Sequence, residues 1–63
     1  MNKTRRRRLE ACITTLQEIE YEEREAYENM PDSLRDSEKG EAMEICADTI
    51  AQACSDLEEL VMI

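Results

Sequence analysis

The 63-residue sequence predicts an all-α protein, an antiparallel helical hairpin that pairs with a second copy into a four-helix bundle. Three observations predict it. Two helix-length segments carry apolar residues at alternating spacings of three and four, the period of a coiled-coil seam. Between them lies the one break, Met30-Pro31-Asp32-Ser33-Leu34-Arg35-Asp36-Ser37, with the only proline of the chain. The second segment also has a stripe too wide for one partner helix to cover.

The first helix is expected over about residues 4–29. Its seam reads Leu9, Cys12, Leu16, Ile19, Glu23, Ala26 and Met30. Thr4 is the expected N-cap, since its hydroxyl can accept from a free backbone N–H. Arg5, Arg6, Arg7 and Arg8 fill the first turns and oppose the helix dipole. From Glu18 to Glu28 nearly every residue is charged, which suits helix propensity. The helix must end by Asn29 or Met30, because a residue before proline avoids the α conformation.

The loop is expected over 30–36, where Pro31 can open a short helical turn and Leu34 can fold back onto the bundle end. Ser37 is the expected cap of the second helix, with Glu38 and Glu41 in its first turn. Gly40 inside that turn costs about 1 kcal/mol against Ala, so a close backbone contact is expected there. The second helix runs to about residue 61 on a seam of Met43, Cys46, Ile50, Ala53, Leu57 and Leu60. Ala42, Ala47, Cys54 and Val61 lie beside that seam and form the wider stripe. Leu16 opposite Ile50 sets the expected register, which places Arg5–Arg8 beside Asp56, Glu58 and Glu59.

A chain of this length makes one domain, residues 1–63, with a thin core. It has no Trp, Phe or His, so Leu, Ile, Met, Ala and Cys must fill that core. Self-association as a dimer follows, with Leu9, Leu16, Ile19, Met43, Ile50, Leu57 and Leu60 as the seam. No apolar run reaches the ~20 residues of a membrane span, and no apolar stretch follows the arginines as in a secretory leader. A cytoplasmic protein is expected. Cys12, Cys46 and Cys54 read as small hydrophobes, since a metal site would need His or a C-x-x-C. Without His, a glycine-rich phosphate loop or a nucleophile beside a base, no enzyme activity, cofactor or metal is expected.

The central stretch, Glu23 to Gly40, carries the pattern E-x-x-A-x-x-N-x-P-x-x-L-x-x-S-x-x-G on Glu23, Ala26, Asn29, Pro31, Leu34, Ser37 and Gly40. It resembles short, acidic, helical-hairpin proteins of bacteriophages and prophages. The resemblance implies viral origin and action in a bacterial host cytoplasm; it implies no particular activity. Arg5–Arg8 and the cysteines lie outside the pattern.

Eight basic against sixteen acidic residues give a net charge of −8. Glu18, Glu22 and Glu25 on the first helix, and Glu41, Glu44 and Asp48 on the second, form acidic rows away from the seam. Such rows can imitate a phosphate backbone and occupy a basic groove. Tyr21 stands among the first row as an anchor for a protein partner. The expected function is therefore to bind and block a bacterial host protein, a defence factor or a nucleic-acid enzyme. Two other readings stand beside it. One is a structural or assembly adaptor. The other, weaker because the acidic body repels nucleic acid, is a small nucleic-acid-binding protein acting through Arg5–Arg8. Glu23, an acid at a seam position, can fix register or hydrogen-bond the turn, at Ser33 or a free N–H near Ser37.

Overall fold

The computed structural model describes residues 1–63 as α1 (Lys3–Glu28), α2 (Asp32–Arg35) and α3 (Glu38–Met62). The protein is all-helical, and α1 and α3 pack against each other as an antiparallel hairpin with α2 at its closed end. The rod measures 48 × 15 × 12 Å. Its radius of gyration is 14.6 Å, against about 11 Å for a compact domain of this length.

Helix α1 begins at Lys3, and its cap is Asn2, not Thr4. The Asn2 side chain accepts from the Arg5 N–H at 2.8 Å, which leaves Thr4 inside the first turn. Both residue types cap well, and the earlier of the two starts the helix. The helix ends at Glu28, with Asn29 as C-cap and Pro31 two residues on. Pro31 takes φ −57° and ψ 146° and serves as N-cap of α2, so the short helix begins at Asp32, one residue later than expected. Its carbonyl accepts from the Leu34 and Arg35 N–H groups.

Leu34 does not plug the hairpin: it is 45% exposed. The backbone of Arg35 is what meets α3. A Cβ at Gly40 would lie 2.6 Å from the Arg35 carbonyl carbon and 2.7 Å from its Cα, and closer still to its carbonyl oxygen. Only glycine lets α2 and α3 approach this far. Ser37 caps α3 as expected, accepting from the Gly40 N–H at 3.5 Å while its hydroxyl donates to the Leu34 carbonyl.

Only Ile13, Gly40, Ala47 and Cys54 are buried. On α1, Leu9, Leu16, Glu20, Glu23, Tyr27 and Met30 flank Ile13, half-buried. On α3, Met43, Ile50, Ala51, Ala53, Leu57 and Val61 flank the buried Ala47 and Cys54, half-buried. The contact therefore keeps Leu9, Leu16, Glu23 and Met30, and Met43, Ile50 and Leu57. It replaces Cys12, Ile19 and Ala26 by Ile13, Glu20 and Tyr27, and Cys46 and Leu60 by Ala47, Cys54 and Val61, while Ala53 stays half-buried at its edge. Both helices are rolled by one residue from the expected seam. The cause is Gly40. Once it faces inward against α2, the residues at seven-residue steps from it, Ala47, Cys54 and Val61, face inward too. Ile19 (40% exposed) and Leu60 (45% exposed) consequently drop out of the α1–α3 contact.

The register is shifted as well. Leu16 opposite Ile50 would set Tyr27 against Lys39 and Ile13 against Ala53. Instead Tyr27 shares a cleft with Met43, Glu44 and Ala47, and Ile13 shares one with Glu58 and Val61. The offset is about one helical turn toward the end of α3. Arg5–Arg8 then form no ion pairs with Asp56, Glu58 or Glu59. Arg6 donates to the Val61 carbonyl near the end of α3, and Glu58 accepts from Gln17 at 3.0 Å.

Candidate interaction surfaces

The outer face of α1 is acidic because glutamates at three- and four-residue spacing share one side of a helix. Glu18, Tyr21, Glu22 and Glu25 are all exposed there, as expected. Tyr21 is 69% exposed and stands beside Glu18 and Glu22 over a shallow hollow with Thr14 and Gln17. A ring lying flat on its helix would be covered far more. The second row, Glu41, Glu44 and Asp48, is exposed on α3. The first row lies off the α1–α3 contact, whereas the second borders it: Asp48 accepts from Arg24 of α1, and Glu44 shares a cleft with Arg24, Tyr27 and Glu28.

Ile45 sits within the second row at 65% exposure and was not among the expected site residues. Its signal was available: it falls outside the three–four spacing of either seam column.

Charge is unevenly divided along the rod. The half nearer the loop, residues 18–48, has twelve acids and three bases, a net of −9. The open half, residues 1–17 and 49–63, has four acids and five bases, a net of +1. The bases of the loop half are partly neutralised. The Arg24 guanidinium donates to Glu20 at 2.9 Å and to Asp48 at 3.2 Å. Those hydrogen bonds, to Glu20 first, hold the Arg24 pKa above its usual value. Arg35 pairs with Asp32 on α2. At the open end Lys3, Arg5, Arg7 and Arg8 have no ion-pair partner.

Glu23 takes neither role expected of it within the chain. It is half-buried at the seam and makes no hydrogen bond to Ser33, to the Ser37 region or to any cation. The free N–H near Ser37 goes to the Ser37 hydroxyl instead.

All three cysteines are free thiols. Cys54 is buried against α1, and burial, then the nearby Glu20 and Glu58 carboxylates, push its thiol pKa up. Cys12 and Cys46 are exposed. No group of three or more Cys, Asp or Glu side chains converges as metal ligands would, and no helix is long and apolar enough to cross a membrane.

The two long sides of the hairpin differ. One is laced by polar bridges between the helices, Gln17 to Glu58 and Arg24 to Asp48. Helical periodicity places Cys12, Ile19 and Ala26 of α1, and Cys46, Ala53 and Leu60 of α3, together on the other side. No hydrogen bond crosses between the helices there. The chain matches no protein-family model, no curated protein and no solved structure.

Proposed function

We propose that this is a small, non-enzymatic, phage-type interaction protein that binds a bacterial host protein in the host cytoplasm and blocks it by covering a basic surface. The observation that carries the reading is the loop half, at net −9, with Tyr21 standing 69% exposed in its glutamate row. Carboxylates on successive turns present a line of negative charge about 6 Å apart. A basic groove built for phosphates would meet that line with complementary potential, and Tyr21 would add an apolar anchor. A defence factor or a nucleic-acid enzyme is the target class with such grooves. Because Asp48 of the α3 row is already engaged by Arg24 and Glu44 borders the helix contact, the α1 row with Tyr21 is the binding row.

The test is a pull-down from host lysate with the tagged chain, compared with Glu18→Lys/Glu22→Lys/Glu25→Lys. The row lies off the α1–α3 contact, so helical circular dichroism should survive. Loss of a captured basic nucleic-acid enzyme in the variant supports the reading, as does release of that enzyme by salt. Unchanged capture overturns it.

A second reading is favoured by one observation: Lys3, Arg5, Arg7 and Arg8 have no acidic partner within the chain. They could meet phosphates directly. Replacing Arg5–Arg8 by Gln should then abolish binding to DNA or RNA, with an affinity that falls steeply with salt in the unaltered chain. An adaptor role without inhibition predicts capture of a partner whose activity is unaffected.

A further inference from the structure

The hairpin exposes more surface than its mass warrants. Its accessible area is 4937 Å², whereas a compact monomer of this mass exposes about 4,200 Å². The excess, roughly 750 Å², is close to the ~800 Å² that each partner contributes to a stable protein–protein interface.

The excess has a place. On the side without polar bridges, Ile19 and Leu60 are 40% and 45% exposed, and Leu16 is half-covered. A hollow beside them is lined by Ala11, Cys12, Thr15 and Leu16 and is almost wholly apolar. The α3 part of this side is Cys46, Ala53 and Leu60, small enough at its centre to admit another helix.

The pattern along α1 says what covers it. On this side α1 presents Arg5, Arg8, Cys12, Ile19, Glu23 and Ala26 in chain order, spaced by helical turns. Reversed about the point between Thr15 and Leu16, the row complements itself. Cys12 falls on Ile19, Thr15 on Leu16, and Arg8 on Glu23. Arg8 is a cation without a partner in the chain, and Glu23 is a half-buried carboxylate without one. The same reversal lays the +1 half of one rod along the −9 half of the other, whereas a parallel arrangement stacks the two −9 halves together.

We propose that this side is the interface of a symmetric dimer in which two hairpins pack face to face and antiparallel, with Arg8 of each meeting the partner's Glu23. The product is a four-helix bundle in which α1 lies against the partner's α1. Of the stripe that sequence alone marked for dimerisation, Ala42, Ala47, Cys54 and Val61, the last three are already used inside the hairpin and only Ala42 is exposed, so the interface lies on the opposite flank. The inference is independent of the host target, since it concerns the apolar side and not the outer row of α1.

Sedimentation equilibrium of the full chain from 1 to 100 µM on the order of a typical association range should give twice the 7.3 kDa chain mass. A single 7.3 kDa species at every concentration overturns the dimer. Arg8→Glu and Glu23→Arg each set like charges opposite one another twice in a homodimer, so each alone should weaken association at least tenfold. Mixed together, they restore both pairs, and the mixture should dimerise as the unaltered chain does. This rescue separates the proposal from simple unfolding, because circular dichroism of each variant is read alongside. If the two variants dimerise as well alone as mixed, the antiparallel α1 pairing is overturned. As a second readout, maleimide labelling of Cys12 should slow as the protein is concentrated through the dimer midpoint. Labelling independent of concentration counts against the face.

Discussion

The two ends of the hairpin are held by different physics. At the closed end the backbone decides: Pro31 stops α1 from continuing, Ser37 starts α3, and Gly40 lets Arg35 come within contact of the α3 backbone. At the open end side chains decide: Ile13 packs near Val61, Gln17 reaches Glu58, and Arg6 reaches the Val61 carbonyl. Backbone fit tolerates no change of shape, whereas side-chain packing degrades by degrees. The closed end therefore sets the roll and register of α3, and the open end follows.

Substitutions at the two ends sharpen this contrast. Gly40→Ala should have the largest effect, a loss of about 3 kcal/mol in urea unfolding, because overpacking against backbone cannot be relieved by a rotamer. Helix propensity alone predicts the opposite, a gain of about 1 kcal/mol. A stabilised Gly40→Ala would show that α2 moves freely. At the open end Ile13→Ala should cost about 2 kcal/mol, the low end of the range for a core residue, because a thin hairpin can close over the gap. A larger loss for Ile13→Ala than for Gly40→Ala would reverse the ranking of the two ends.

The caps make the next comparison. Ser37→Ala should cost about 1 kcal/mol, since the α3 start is tied to the α2 contact. Asn2→Ala should cost less in global unfolding, because its helix end can fray without disturbing the fold. Hydrogen exchange of the first-turn amides would detect that fraying. Equal global effects would mean the open end is as cooperative as the closed one.

The smallest effect belongs to Leu34→Ala, expected within about 0.5 kcal/mol because surface substitutions rarely matter more. A loss near 2 kcal/mol would show that Leu34 is covered in the folded assembly. The thiols give an independent check at the helix contact. Cys54 should react with maleimide only through global opening, slowed further by its raised pKa. In dilute, monomeric protein Cys12 and Cys46 should react promptly. A Cys54 that labels as fast as Cys12 would mean that α3 is rolled toward the Cys46 and Leu60 side.

Much of the molecule was legible in the sequence. Two helices, the Asn29–Pro31 stop, the Ser37 cap and the need for glycine at position 40 follow from local chemistry, which depends on a few neighbouring residues. The exposed placement of Glu18, Tyr21, Glu22 and Glu25 follows too, since helical periodicity sets which residues lie away from an apolar stripe. The roll of the helices differs from the one the apolar spacing predicts, although Gly40 carries the information. A broad stripe contains two adjacent three–four columns, one through Cys12 and Ile19 and one through Ile13 and Glu20. Hydrophobicity favours the first, because the second includes Glu20.

The tertiary structure decided between them. The α2 contact turns Gly40 inward, so Ala47 and Cys54 must follow, and α1 answers with Ile13, Glu20 and Tyr27. The stems of Glu20 and Tyr27 can cover apolar surface while their polar ends reach Arg24 or solvent. The register and the placement of Glu44 and Asp48 beside α1 are likewise tertiary outcomes. Local sequence specifies which residues share a helix face; only packing against a second helix specifies which of two overlapping faces is buried and which is left outside.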